Sequence, residues 1–324
     1  MKKALVIRLG AFGDHLLVSP VFTRLKELGY HIVYNTNKRG MDLFKGDDRI
    51  DEFLPHKEDM PYDKLREHWD TLKKKIEPEH FINYTSSIEN NVALHPTQPL
   101  YIYPKKERYE KCNRNYYEVS AEWSGLTGVK LKPILKFTKE EKEDASACIR
   151  EGWYNVLWCL SGSGCNKVYP WTEYVMGSLI KKYPNIHFIT VGDYKCKLLE
   201  SDTLPKENFT ELAGEINIRK SMCLTGLVDL VISPDTGILH ASGMYNTPKI
   251  GLLGHTTKEN ITKHFKNDYS IEAECACAPC FYLIYNYDIQ CPIENVTRSA
   301  WCMSVGIPPE KLFERVCKVK EIHG

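Results

Sequence analysis

The chain has 324 residues, 43% hydrophobic and 26% charged, which suits about two soluble domains, each large enough for its own core. Lysine and arginine (43) nearly cancel aspartate and glutamate (42), so the overall charge gives no sign of a protein built to cover nucleic acid. No apolar run nears the roughly 20 residues needed to cross a bilayer, and Arg8 interrupts the apolar stretch Ala4 to Phe12, which argues for a first strand in a cytoplasmic protein rather than a signal peptide.

In chain order, the first half alternates strand and helix patterns. Strands are expected at Ala4–Leu9, His31–Asn35, Glu52–Pro55 and His80–Tyr84, and helices at Asp14–Leu28, Tyr62–Ile76 and Asn115–Ser124. The second half repeats the alternation, with strands at Asn155–Leu160, His187–Val191, Leu230–Ile232 and Lys249–Leu253. Its helices fit Lys139–Glu151, Trp171–Lys182, Ile218–Thr225, Thr236–Met244 and Pro309–Val319. Short strands alternating with helices imply parallel sheets with right-handed crossovers. The expected fold class is therefore α/β, with one Rossmann-like lobe over 1–135 and another over 136–324. The seam falls near Leu131–Phe137, and the strand ends of such lobes face a ligand cleft.

Three strand ends carry the candidate chemistry. The first strand runs into Arg8-Leu9-Gly10-Ala11-Phe12-Gly13-Asp14, where Gly10 and Gly13 allow a tight turn and Asp14 falls in the first turn of a helix. A carboxylate there suits proton abstraction from an attacking hydroxyl, or serves only to cap the helix. The second lobe opens with Ser161-Gly162-Ser163-Gly164-Cys165-Asn166-Lys167, in which Lys167 offers a point charge to phosphate. Tyr169-Pro170-Trp171 follows as rigid aromatic bulk. The loop fails the P-loop pattern and reads equally as a surface turn. At Asp235-Thr236-Gly237, Asp235 suits an N-cap and Gly237 permits close backbone approach. Thr236 and His240, four apart, share a helix face, so the unit suits a phosphate or is an ordinary strand–turn–helix. Phe209 to Gly214 reads as a further strand whose end approaches a nucleotide or merely turns.

Taken together these motifs resemble the ADP-heptose:lipopolysaccharide heptosyltransferases and their relatives in glycosyltransferase family nine. The matching residues are Ala4 through Asp14 with Pro20, Lys167 ahead of Tyr169-Pro170, Asp235-Thr236-Gly237 with His240, and Thr247-Pro248 through Gly254-His255-Thr256. The resemblance implies a GT-B fold of two Rossmann-like lobes, the acceptor on the first and a nucleotide-diphosphate sugar on the second. It also implies inverting, metal-independent transfer of a sugar, in the family a heptose, to a glycolipid or polysaccharide acceptor at a membrane's inner face. By that likeness Asp14 is the general base and Lys167 pairs with the donor phosphate. The amides at Thr236 and Gly237 hold the pyrophosphate, Asp235 contacts the sugar with His240 beside it, and Gly10, Gly13, Ser161 and Tyr169 border the substrates. No cofactor is required for that chemistry, and the oligomeric state stays open.

Two features fall outside this pattern. Cys275, Cys277, Cys280, Cys291 and Cys302 crowd the segment 275–302, where the spacing permits a structural zinc, and packing thiols or a disulfide are the alternatives. Lys105, Lys106, Arg108, Lys111 and Arg114 interleave with Tyr101, Tyr103, Tyr109, Tyr116 and Tyr117, a mixture that suits acceptor phosphates, a nucleic acid, or a solvated face. The fold also allows a transferase for another acceptor, such as a DNA base, or a sugar-nucleotide-binding module without catalysis.

Overall fold

The computed structural model describes residues 1–57, 60–91, 99–282, 291 and 300–324. The chain divides into two compact units, one of residues 1–91 and 115–136, the other of residues 92–114 and 137–324. The described part of this segment, 99–114, thus leaves the unit in which its neighbours in sequence fold. Within the second unit, Asn260 Nδ2 donates to the carbonyls of Cys112 and Arg114 at 2.8 and 3.0 Å, and Thr257 Oγ1 donates to Asn113 Oδ1 at 2.5 Å.

In the first unit, β1 (Lys3–Arg8), β2 (His31–Thr36), β3 (Glu52–Pro55) and β4 (His80–Asn83) form a parallel sheet in the order β3-β2-β1-β4. The central β1 and β2 are buried on both faces, which is why they read as continuous apolar runs rather than as alternating strands. One face is covered by Phe22, Tyr34 and Phe44, whose rings meet edge-on with Phe22 4.9 Å from Tyr34 and 5.3 Å from Phe44. On another, Leu5, Ile7 and Val33 pack against Trp69, Leu72 and Ile76. Those three lie three and four apart along the helix Leu65–Ile76, giving it one apolar stripe. The helix expected from Tyr62 begins there as a single 3₁₀ turn, Tyr62–Lys64.

The second unit holds six parallel strands: β5 (Tyr154–Cys159), β6 (Ile186–Val191), β7 (Phe209–Glu211), β8 (Leu230–Pro234), β9 (Lys249–Leu253) and β10 (Ile271–Glu272). Their order is β10-β9-β8-β5-β6-β7. Every residue of β5, β6, β8 and β9 is buried. The helix Lys139–Ser146 starts in a capping box, with Glu141 N donating to Thr138 Oγ1 and Thr138 N to Glu141 Oε2. It stops short of the expected Glu151, because Asn155 Oδ1 accepts from Arg150 N and Gly152 turns the chain at φ 75°. Pro234 remains in β8 as its last residue, where its missing N–H costs no ladder bond inside the strand. Among the described residues no helix is long and apolar enough to cross a membrane.

Both sheets have a switch point, where successive crossovers turn to opposite sides and a crevice opens beyond the strand ends. In the first unit it lies between β1 and β4, in the second between β5 and β8.

Candidate active site

The loops after β5 and β8, on either side of the second unit's switch point, carry a buried cluster of charge. Lys167 Nζ lies 4.0 Å from Asp235 Oδ2, His255 Nε2 3.4 Å from the same oxygen, and His240 Nε2 3.6 Å from Asp235 Oδ1. All four side chains are nine-tenths buried or close to it. Burial works against the Asp235 charge, but Lys167, His240 and His255 outweigh it and hold the carboxyl well below the usual range. Burial and then the Lys167 charge push the His255 ring down to about 4, against the pull of Asp235. Neither His255 ring nitrogen has a hydrogen-bond partner among the described residues, nor do Thr256 Oγ1 and Asn166 Oδ1 nearby in sequence. Polar atoms so buried call for partners that the described side chains do not supply.

The expected helix Thr236–Met244 is only Gly237–Ser242, and its N-cap is Thr236, whose Oγ1 accepts from Ile238 N at 3.3 Å. Asp235 does not cap it, because its carboxylate is turned to Lys167 and the two histidines. Six residues give a weak dipole, so Lys167 supplies most of the positive field here. Gly162 makes room for it: a Cβ there would stand 2.6 Å from Lys167 Cδ and 2.9 Å from Thr236 Cγ2.

In the first unit, Asp14 sits in the opening turn of the helix Phe12–Glu27. Its Oδ1 accepts from Arg8 Nη2 at 2.5 Å and its Oδ2 from Ala11 N at 2.7 Å. Burial would raise its pKa, yet Arg8, the Ala11 amide and His15 together hold it below the ordinary carboxylate value. Gly10 takes a φ of 122°, and a Cβ there would stand 2.5 Å from Asp14 Oδ2, so only glycine lets the carboxylate fold back over the turn. Gly13 is the helix's second residue.

Other expected residues lie elsewhere. Ser161 is buried, donating to Gly162 O at 3.3 Å. Tyr169 packs in the hydrophobic core with Trp158 and Met303, and Trp171 joins that cluster, donating to Ser304 O at 2.7 Å. These rings line the interior of the second unit. In the basic stretch, Lys105 donates to the carbonyls of Ala276 and Ala278, and Arg108 stacks on Tyr282 while donating to Tyr103 O. Two of its cations are thus engaged in holding the fold.

All twelve cysteines are free thiols. Cys275 Sγ and Cys277 Sγ approach to 3.5 Å, and Cys275, Cys291 and Cys302 pack with the apolar core. Burial, and then the neighbouring thiols, push Cys280 up to about 11 and Cys277 up to about 12. Within 275–302, residues 283–290 and 292–299 lie outside the described residues. Burial raises the Cys302 thiol, and Cys275, Cys277, Cys280 and Cys291 all lie close enough to raise it further. Yet among the described residues no three histidine, cysteine or acidic side chains are placed as a metal ion's ligands. The same holds for Asp235 with its two histidines, where Lys167 opposes a cation.

The buried rings give a pH prediction. His15, bonded to Tyr34 Oη at 2.7 Å and Asn37 Oδ1 at 3.0 Å, is driven down to about 4 by burial, as is His255. Between their ordinary 6.5 and about 4, the unfolded chain takes up protons that the folded rings refuse. Stability is therefore full above pH 6.5 and falls as the pH drops through that window, by on the order of 3 kcal/mol for each ring. Urea unfolding at pH 7, 5.5 and 4.5 measures it, and a midpoint that does not move would contradict the burial of these neutral rings.

Two parallel sheets of Rossmann type, each with a switch point, make up the GT-B fold. Residues 103–308 match the family described as Glycosyltransferase family 9 (heptosyltransferase), and the chain belongs to that family. Compared by sequence with curated proteins, it matches none. Among solved structures it is similar to Escherichia coli ADP-heptose lipopolysaccharide heptosyltransferase II, at 15% identity and a TM-score of 0.63 with 98% of each chain covered. It is similar to a family 9 glycosyl transferase from Veillonella parvula DSM 2008, at 14% identity and 0.62, covering 85% of this chain and 88% of that one. It also resembles the iron-containing dodecameric glycosyltransferase TibC from enterotoxigenic E. coli H10407, at 13% identity and 0.63, covering 99% of this chain and 77% of TibC. At these identities the likeness is one of fold.

Proposed function

We propose that this glycosyltransferase moves a heptose, or a closely related sugar, from an ADP-sugar to a hydroxyl of a bacterial surface-polysaccharide acceptor, with inversion and without a metal. The donor follows from relatives whose names specify ADP-heptose. The first unit binds the acceptor and the second the donor. The acceptor oxygen attacks the anomeric carbon from the face opposite the diphosphate, its proton passes to Asp14, and the C–O bond to the diphosphate breaks with its electron pair. Lys167 and the Thr236 and Gly237 amides hold the departing charge, while Asp235 and His240 meet the sugar. A donor of this class puts the reaction in the cytoplasm, at the inner face of a membrane when the acceptor is a glycolipid.

The observation that carries this reading is Lys167, a buried cation fixed between Gly162 and Asp235 beyond the strand ends of the second sheet. A fixed cation does there what a divalent ion would otherwise do for a leaving diphosphate. Transfer from ADP-heptose to a truncated lipopolysaccharide core is expected at an unchanged rate in excess EDTA, with the product's anomeric configuration opposite to the donor's by NMR. Thermal-shift titration should rank ADP above UDP, GDP and CDP, since ligand at 100 times its Kd adds about 2.7 kcal/mol. Loss of transfer in EDTA, or retention of configuration, would overturn the reading.

A further inference from the structure

One buried cation in the first unit is shared by two carboxylates. Arg8 ends β1 only 1% exposed, in a strand that is otherwise apolar after Lys3. Its Nη2 donates to Asp14 Oδ1 at 2.5 Å, and its Nη1 reaches Glu89 Oε1 at 3.0 Å and bonds the carbonyl of Tyr84. Asp14 follows β1 and Glu89 follows β4, so the two acids come from the loops on either side of the sheet's switch point. Nothing in the proposed transfer uses Glu89 or accounts for its place beside Arg8.

We propose that Glu89 is a positioning residue that makes Asp14 a strong enough base by keeping Arg8 paired when Asp14 takes the acceptor's proton. The proposal rests on Asp14 being that base. A buried guanidinium needs an anion, and stripping one away costs several kcal/mol. In the resting site Arg8 faces two carboxylates and the trio carries one net negative charge. As the acceptor O–H bond breaks and its oxygen bonds the sugar, the proton moves to Asp14, and the trio becomes neutral with Arg8 and Glu89 as the remaining ion pair. Without Glu89 the same step would leave the guanidinium buried and unpaired, so Asp14 would hold the proton poorly. Arg8 prevents the opposite failure, a base already protonated before the acceptor arrives. Asp14 is held low and so meets the acceptor ionised, while burial, against the pull of Arg8, raises Glu89. His15, the neighbouring titratable ring, is committed to Tyr34 and Asn37 and stays neutral.

The test uses the full-length enzyme and four variants, with ADP affinity and thermal unfolding as controls for folding. Glu89→Gln is expected to lower kcat about ten- to a hundredfold with the donor KM unchanged, because Asp14 then answers alone to Arg8. Glu89→Asp, which keeps the charge, is expected to recover most of that loss. The decisive comparison is the double variant Arg8→Gln with Glu89→Gln, which removes both buried charges and should turn over faster than Glu89→Gln alone. A purely structural Glu89 would leave the double variant no better than the single. Asp14→Asn separates the two ideas. If it is inactive while Glu89→Gln keeps the wild-type kcat, this inference fails and the base assignment stands; if it keeps wild-type turnover, the base assignment itself fails. Should Glu89→Gln lose ADP binding through misfolding, Glu89→Asp decides, since a kcat as low as that of Asp14→Asn in a folded enzyme that retains the charge would overturn the proposal.

Discussion

Asp14→Asn is expected to lower sugar transfer by about 10²–10⁴-fold while leaving ADP affinity unchanged. The substitution keeps shape and the acceptor for the Ala11 amide, which Asp14 Oδ2 now serves at 2.7 Å, and deletes only the site that would take the proton. Arg8 keeps Glu89 as its counter-ion, so the buried guanidinium is not left bare and the first unit should stay folded. Donor binding is an independent readout because the residues assigned to it, Lys167, Asp235 and His240, all belong to the second unit. Single-turnover transfer and calorimetric titration of ADP together check the expectation. Transfer at the wild-type rate would remove Asp14 from the chemistry, and a parallel loss of ADP binding would mean that the variant damages more than the base.

How far the sequence carries such an argument depends on how local each feature is. Nine strands were legible as short runs; eight are found within two residues of their expected ends and the ninth, Phe209 to Gly214, stops at Glu211. The longest runs come from central strands that are buried on both faces and have few polar positions. β10, two residues long, offers no such run, and the helices Lys38–Leu43 and Lys105–Cys112 carry too few apolar residues to show a stripe. The placement of 99–114 in the second unit rests on long-range bonds such as those of Asn260 to carbonyls about 150 positions earlier in the chain, and no local pattern encodes them.

The same division runs through the candidate site. Asp14, Lys167, Asp235 and Thr236 stand at strand-to-helix turns, where glycine, small residues and a charge in a row give a local signal. Arg8 gave a signal as well: a charge inside a buried strand must find a partner, and the arginine that interrupts the apolar stretch is held by two acids. Its second partner was not legible, since Glu89 lies 81 residues away in a stretch with no motif. His255 was visible only as part of Gly254-His255-Thr256, and its approach to Asp235 is a product of the β8–β9 pairing. Tyr169 and Trp171 read as rigid aromatic bulk, and rings beside a glycine-rich loop serve to fill the core beneath it, as the structure uses them.

Lys167→Met is expected to lower transfer by about 10²–10³-fold and to weaken ADP binding, because the variant removes the fixed positive charge on the leaving diphosphate. Asp235, nine-tenths buried, would then lose its nearest full cation, which by itself costs about 3–5 kcal/mol when nothing replaces it. Here a replacement is at hand. The Lys167 charge is the second of the causes that hold His255 down at about 4, and Asp235 is the one group pulling it up. Deleting the lysine therefore raises the ring's pKa, and His255 can supply the missing charge 3.4 Å from Asp235 as the pH falls. Transfer by Lys167→Met should accordingly improve relative to wild type as the pH falls below 6.5 toward 4, whereas the double variant with His255→Gln should show no such improvement. Gly162→Ala keeps every charge but crowds Lys167 Cδ and Thr236 Cγ2, and it should lose transfer without any pH-dependent recovery, because its lysine is displaced rather than absent. A Lys167→Met enzyme as fast as wild type at pH 7.5 would take the leaving-group role from this cation and leave it a counter-ion for Asp235 alone.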